Sequence, residues 1–174
     1  MTNSIYNLSK SDLKIFLKNN GFEAFRADQI WNWLYVKGVQ SFSSMGNISK
    51  QLLIILEKNF SIKPLDIKKC FKSKDGTIKW LFSLNDNRDI ETVYIPEENR
   101  KTICISSQVG CTLSCAFCHT GTMKFIRNLD SSEIIGQVLK VKNELNDWQL
   151  KTEDKKVTNI VFMGMGEPFF NYDN

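Results

Sequence analysis

Three cysteines lie within eight residues, and their spacing is the feature of this chain best suited to chemistry. They occupy the stretch Cys111-Thr-Leu-Ser-Cys115-Ala-Phe-Cys118, a C-x3-C-x2-C pattern. Three thiolates this close can converge on one metal centre, although a closed tetrahedral zinc site takes four ligands. On a four-iron cluster, three thiolates leave one iron without a protein ligand and open to another molecule. The triplet therefore predicts a reactive metal site.

Two other metal chemistries overlap this motif. Cys115-Ala-Phe-Cys118-His119 has the form of a covalent haem attachment site, and His119 is the only histidine in the chain. The surplus Cys111, the lack of an apparent export signal and the α/β context argue against haem. A Cys3His zinc site is the stronger rival, although the adjacent Cys118 and His119 make an awkward pair of ligands. From the residues alone, an iron–sulfur cluster and zinc both stay open.

A second motif, Gly164-Met-Gly166-Glu167-Pro168, follows an apolar run from Thr158 to Met163. Its glycines let a ligand approach the backbone closely, and Glu167 supplies a carboxylate that suits a ligand ammonium group. Glycine and proline after a strand are also ordinary turn residues, so the motif is weak by itself. It gains value because functional groups of parallel α/β folds gather at the carboxyl ends of the strands, where the cysteine loop also lies.

The elements that position these motifs form a mixed α/β chain with three predicted segments. A small helical accessory domain spans residues 1–62, where apolar residues recur at helical spacing after two predicted N-caps, Ser9, which forms a capping box with Asp12, and Ser49. An antiparallel β-meander linker spans 63–98, where Asp75-Gly76 predicts a hairpin turn. Residues 99–174 form one strand–helix–strand unit, whose helix begins at Asp130 or Ser131. We expect its last strand to be parallel and fully buried.

Composition and charge narrow the class of protein. The chain is 42% hydrophobic and 24% charged, without a run of about 20 apolar residues, as in a soluble globular protein. No secretory signal is apparent, so we expect a cytoplasmic location, where clustered cysteines indicate metal or redox chemistry more often than disulfides. Residues 1–100 hold 15 Lys and Arg against 11 Asp and Glu, most densely between Lys63 and Lys79. This basic patch is compatible both with a nucleic-acid partner and with a solvated surface.

The motifs together resemble the radical S-adenosylmethionine superfamily. The closer resemblance is to the family that methylates carbon 2 of adenine in 23S ribosomal RNA and in tRNA, and it covers nearly the whole chain. The stretches that carry it are Phe25-Arg-Ala-Asp-Gln-Ile-Trp, Glu91-Thr-Val-Tyr-Ile-Pro, Cys104-Ile-Ser-Ser-Gln-Val-Gly-Cys111, Arg127-Asn-Leu and Gly164-Met-Gly-Glu-Pro168.

The resemblance implies a cofactor site and names its residues. The ligands of a [4Fe-4S] cluster would be Cys111, Cys115 and Cys118. The open iron would chelate S-adenosylmethionine, whose ammonium end would be bound by Gly166 and Glu167. The implied partners are 23S rRNA, tRNA and an electron donor for the cluster.

The resemblance also gives roles to two residues that look ordinary by themselves. Glu91 matches the family's proton acceptor, and Cys104 matches a cysteine that resolves an enzyme–RNA crosslink through a transient disulfide. Without the resemblance, Glu91 is an exposed strand carboxylate and Cys104 is a small buried hydrophobe.

Members of this family are considerably longer than this chain, and their methyl-carrying cysteine near the C-terminus has no counterpart here. No cysteine follows Cys118. We therefore expect a truncated radical-SAM core that holds the first βαβ unit of a partial (β/α) barrel and is inactive alone. A complementing C-terminal polypeptide is one way in which activity could be restored. The alternative is a non-catalytic RNA-binding remnant or a zinc-binding module.

Overall fold

The computed structural model describes residues 3–174, which form two compact units that divide after Pro64. The first unit is mainly helical. Its elements are β1 (Asn3–Ser4), α1 (Lys10–Asn19), α2 (Arg26–Tyr35), α3 (Lys50–Asn59) and β2 (Phe60–Ser61). The two short strands pair in parallel and bring the ends of this unit together.

The helices of the first unit begin close to where the sequence predicts. At α1, the Ser9 hydroxyl accepts the Asp12 N–H at 3.1 Å, and the Asp12 carboxylate accepts the Ser9 N–H at 3.1 Å. At α3, the Ser49 hydroxyl accepts the Leu52 N–H at 3.4 Å. These bonds satisfy amide groups that have no partner within the helix. The side chains that form the core of this unit include Leu13, Leu17, Ile30, Leu34, Leu52 and Leu56.

The second unit is built on a five-stranded sheet. Its strands, in spatial order, are β3 (Asp66–Lys72), β4 (Ile78–Ser83), β5 (Asp89–Pro96), β6 (Lys101–Cys104) and β9 (Asn159–Val161), while β7 (Gln108–Val109) and β8 (Arg127–Asn128) form a separate two-stranded ribbon. The strands from β3 to β6 are antiparallel, whereas β9 is parallel to β6. The helix α4 (Ser131–Leu145) lies in the connection between β6 and β9, so the mixed α/β class is confirmed. Within residues 3–174, no helix is long and apolar enough to cross a membrane.

Turn residues set the antiparallel part of this sheet. The predicted hairpin at Asp75-Gly76 joins β3 to β4, and Gly76 has φ of +86°. The next turn, between β4 and β5, places Asn87 at φ of +61°. Glycine and asparagine tolerate this left-handed conformation better than other residues do, which is why the turn at Asp75-Gly76 could be predicted.

A buried glutamine links α4 to the sheet. The Gln137 amide oxygen accepts hydrogen bonds from the Thr92 hydroxyl and the Ser106 N–H, both at 2.8 Å. Its amide nitrogen donates to the Ser106 carbonyl at 2.9 Å. The apolar side chains around it form the core of the second unit, and they include Trp80, Phe82, Ile90, Ile103, Ile105 and Val141. A fully bonded polar group of this kind fixes how a helix sits on a sheet.

The expectation of a fully buried final strand is wrong. The strand β9 is three residues long and forms an edge of the sheet. Ile160 is 48% exposed, and Phe162 just beyond the strand is 47% exposed. No strand within residues 3–174 pairs with the outer side of β9, so the strand is an open edge with about half of each of these apolar side chains exposed.

The boundary predicted near residue 98 does not separate two compact units. The strands β5 and β6 lie on either side of it and pair directly, with Tyr94 opposite Ile103. The meander and the strand–helix–strand segment therefore share one sheet and one core.

Candidate functional site

The cysteine loop, residues 110–126, is closed at its base by a two-stranded ribbon. The ribbon pairs β7 (Gln108–Val109) with β8 (Arg127–Asn128). The Arg127 guanidinium donates to both carboxylate oxygens of Glu133, at 2.7 and 2.8 Å, and to Asp86 at 2.8 Å. The bonds to Glu133 and then to Asp86 raise the pKa of Arg127, and the Arg127 bond lowers the pKa of Asp86. This ion-pair network ties the loop base to α4 and to the β4–β5 turn.

Backbone hydrogen bonds shape the segment that carries the three cysteines. The Cys118 N–H donates to the Cys115 carbonyl at 3.1 Å, and the Gly121 N–H donates to the Cys118 carbonyl at 3.0 Å. The Leu113 N–H lies 3.4 Å from the Cys111 sulfur. All three thiols are free and partly exposed, and His119 is exposed in the same loop.

The donor set of this loop suits a metal cluster, but the loop is not a preformed metal site. Among residues 3–174, no three Cys, His, Asp or Glu side chains are gathered into a group that could hold a metal ion. The loop also has little apolar packing of its own, since Phe117 is 93% exposed. Soft thiolates on one short loop match the ligands of an iron–sulfur cluster, and metal binding commonly completes the order of such a loop. By donor chemistry, the residues fit the cluster.

The glycine–glutamate motif forms the loop that follows β9. Gly166 has φ of +94°, and a side chain there would collide with Gln108. The Glu167 N–H donates to the Gln108 amide oxygen at 3.0 Å, while the Glu167 carboxylate accepts the Phe169 N–H at 3.1 Å. Because β6 and β9 are parallel, this loop and the cysteine loop leave the same end of the sheet.

Gln108 is a site residue to which the sequence analysis gave no role. Its side chain is fully buried between the two loops. Besides Glu167, its amide oxygen lies 3.4 Å from the Thr112 N–H, and its amide nitrogen donates to the Asn128 side chain at 2.9 Å. The one signal in the sequence that could have indicated a role for Gln108 is its position as a polar residue between a predicted strand and the cysteine loop.

Glu91 and Cys104 lie on the face of the sheet opposite α4, which we call the open face. Val93 pairs with Cys104 across β5 and β6, and Glu91 is two residues before Val93, so all three side chains share this face. The Lys79 ammonium lies 3.0 Å from the Glu91 carboxylate in a half-exposed ion pair. Burial raises the pKa of the Cys104 thiol. Glu91 and Cys104 are therefore diagonal neighbours, whereas the cysteine triplet lies in the loop beyond β6.

Comparisons with known proteins relate this chain to RNA methyltransferases. Residues 3–62 match the family described as ribosomal RNA large subunit methyltransferase N-terminal domain. The dual-specificity RNA methyltransferase RlmN of Rhizorhabdus wittichii is 44% identical over 171 residues, which are 96% of this chain and 42% of that protein. The protein of the same name from Paracoccus denitrificans is 50% identical over 153 residues, which are 86% of this chain and 39% of that protein.

A solved structure matches the fold. A radical SAM methyltransferase from Sphaerobacter thermophilus superposes with a TM-score of 0.86 and 36% sequence identity, covering 98% of this chain and 49% of that one. The chain thus spans less than half the length of each of these relatives.

Proposed function

We propose that this chain, which corresponds in sequence and fold to the N-terminal portion of the dual-specificity RNA methyltransferase RlmN family, carries the cofactor site of such an enzyme. The site would hold a [4Fe-4S] cluster and S-adenosylmethionine. The reaction that it serves would be methylation of carbon 2 of adenine in 23S rRNA and in tRNA.

The observation that carries the proposal is the meeting of two loops at one end of the sheet. One loop brings three soft ligands, and the other brings the Glu167 carboxylate beside a glycine backbone. Gln108 hydrogen-bonds to both loops, so they lie next to each other. A cluster that lacks a fourth protein ligand, next to a carboxylate, suits a ligand with both an amino and a carboxylate group.

The residues of the cofactor site would have two separate roles. Cys111, Cys115 and Cys118 would hold the cluster, and Glu167 would orient the ammonium end of S-adenosylmethionine. The chemistry that the cluster supplies when bound is one electron for reductive cleavage of that cofactor.

Two residues on the open face would act on the RNA. Glu91 would accept a proton from the adenine, and its carboxylate lies in an ion pair with Lys79 on the open face. Cys104 would resolve the crosslink between enzyme and RNA. The Cys104 thiol is partly buried and burial raises its pKa, so a base would have to take its proton before the sulfur attacks.

The RNA partner would meet a basic hairpin. Lys68, Lys69 and Lys72 lie on β3, and Lys74 lies in the turn that follows. These four lysines are exposed, and phosphate contacts of this kind supply affinity without sequence preference. The electron donor would be a separate protein that reduces the cluster.

We expect the 174 residues alone to bind the cofactor without transferring a methyl group. The chain has five cysteines, and all of them lie at or before Cys118. The family's methyl-carrying cysteine has no counterpart among them. A second polypeptide that supplies this cysteine would restore methyl transfer.

Anaerobic reconstitution of the full chain with iron and sulfide tests the cofactor site. We expect about four irons per chain and a broad visible absorption. Cys115→Ala should abolish both signals. Cys70→Ala is the matched control, because Cys70 is an exposed cysteine on β3, outside the cysteine loop, and its loss should change neither signal.

Two results would contradict the proposal. The first is colourless protein with one zinc per chain, which would support the zinc-binding alternative. The second is equal iron uptake by Cys115→Ala and the unsubstituted chain. A separate incubation with RNA, reductant and S-adenosylmethionine should give no methylated adenine, and product formation would refute the expected inactivity.

A further inference from the structure

We propose that Gln108 is a positioning residue that sets the distance between the cysteine loop and the glycine–glutamate loop. This inference rests on the proposed function, since it concerns how the two loops come to bind one S-adenosylmethionine. Gln108 is not one of the proposed ligands of the cluster or of the cofactor, and it acts through Thr112 and Glu167.

The first step of the argument is that one atom holds both loops. The Gln108 amide oxygen accepts the Glu167 N–H at 3.0 Å and lies 3.4 Å from the Thr112 N–H. Glu167 is 59 positions from Gln108 in the chain, whereas Thr112 is only four positions away. Thr112 is directly next to Cys111, and Glu167 carries the carboxylate proposed to bind the ammonium group. Two bonds to one acceptor thus fix the separation of the two ligand-bearing segments.

The second step is that the glutamine itself cannot move. Its side chain is fully buried, and its amide nitrogen donates to the Asn128 amide oxygen at 2.9 Å. Asn128 is held in turn, because its own nitrogen donates to the Phe170 carbonyl at 2.9 Å. Gly166 packs on the Gln108 side chain so closely that a side chain at position 166 would collide with it. The acceptor therefore has one orientation and little freedom.

The third step is that another residue type at position 108 would not hold both loops by hydrogen bonds. An apolar side chain leaves two amide groups without their acceptor, which favours local opening of both loops. Glutamate keeps acceptor oxygens at the same reach, although an ionised carboxylate cannot donate to Asn128. Leucine and glutamate both keep about the same side-chain volume, so they separate loss of the acceptor from loss of the donor.

Hydrogen exchange in the cofactor-free chain tests the positioning directly. In Gln108→Leu, we expect the Glu167 and Thr112 amides to lose protection together by roughly tenfold, as for one lost hydrogen bond. Gln108→Glu should keep most of that protection. Gln137→Leu is the matched control: this glutamine is equally buried but bonds to neither loop, so both amides should keep their protection. Unchanged protection in Gln108→Leu would overturn the inference.

Cofactor titration then tests the consequence. After reconstitution, we expect Gln108→Leu to hold as much iron as the unsubstituted chain, because all three thiols remain. The change in the electron paramagnetic resonance spectrum of the reduced cluster should need roughly tenfold more S-adenosylmethionine. A titration equal to that of the unsubstituted chain would overturn the inference. Failure of the unsubstituted chain to take up iron would instead overturn the proposed function, while the exchange experiment still decides the role of Gln108.

Discussion

The two faces of the five-stranded sheet differ in what holds their polar groups. On the face that packs against α4, Thr92 and Gln137 are fully buried and bonded to each other, within a core that contains Phe82. On the open face, Glu91 pairs with Lys79, and both side chains remain almost half exposed. The covered face fixes its polar groups in place, whereas the open face leaves its carboxylate within reach of a ligand.

If Glu91 acts as proposed, stability and chemistry occupy opposite sides of one sheet. Successive side chains on β5 point to opposite faces of the sheet. Thr92 therefore packs in the core, while its neighbour Glu91 lies on the open face. Substitutions on the covered face should therefore change the free energy of unfolding. Substitutions on the open face should change reactivity with little effect on that free energy.

The largest expected effect is the loss of a core aromatic side chain. Phe82→Ala removes a fully buried ring from the covered face and should lower the free energy of unfolding by about 3–5 kcal/mol. Phe71→Ala is the matched control on β3, where the ring is 54% exposed, and should change it by less than about 0.5 kcal/mol. Urea denaturation followed by circular dichroism measures both. Similar losses in the two variants would show that the faces do not differ as described.

An intermediate effect is expected at the buried amide. Gln137→Leu leaves the Ser106 N–H and the Thr92 hydroxyl without their acceptor and should cost about 1–3 kcal/mol. Thr92→Val removes one of these bonds and leaves Gln137 bonded to Ser106, so the loss should be smaller. The same urea denaturation experiment compares the free energies of unfolding of Gln137→Leu and Thr92→Val. If Thr92→Val were the more destabilising, the amide would not be the main link between α4 and the sheet.

A smaller effect is expected for the ion pair on the open face. Glu91→Gln should change the free energy of unfolding by less than about 0.5 kcal/mol, because exposed pairs gain little over hydration. Any difference should shrink further in 1 M salt, which screens exposed charges. Thermal unfolding at low and high salt measures it. A loss as large as that of Gln137→Leu would mean that Glu91 has a structural role.

The smallest effect on stability concerns the Cys104 thiol and appears only at high pH. Burial raises its pKa in the folded chain above that of the same thiol in the unfolded chain, so the unfolded thiol ionises first as the pH rises. The contribution of Cys104 to stability is therefore unchanged below the pKa of the unfolded thiol and falls above it. Alkylation by iodoacetamide, followed by mass spectrometry, should give Cys104 a reaction midpoint at higher pH in the folded chain than in the urea-unfolded chain. Equal midpoints in the two states would contradict the burial of this thiol.

Local sequence patterns predicted much of the fold. The capping box at Ser9, the hairpin at Asp75-Gly76 and the start of α4 at Asp130 each depend on residues within a few positions. The burial of β9 was predicted wrongly from the same kind of evidence. A run of apolar residues indicates a strand that can be buried, but its exposure depends on which other strands lie beside it.

The candidate site shows the same limit. Its donor residues could be named from type and spacing, because three thiols within eight residues and a glycine–glutamate turn are local patterns. The role of Gln108 could not be predicted in this way, because its partner Glu167 is 59 residues away in the chain. A single glutamine carries no signal of distant partners until the chain folds.

By itself, the sequence determined which donor groups this chain can offer to a metal or cofactor, since ligand type and spacing are properties of neighbouring residues. Only the tertiary structure decided that Glu91 and Cys104 share a face and that the two loops share one buried acceptor. Strand register and parallel pairing set these relations. Both arise from contacts between segments far apart in the chain, which no local pattern encodes.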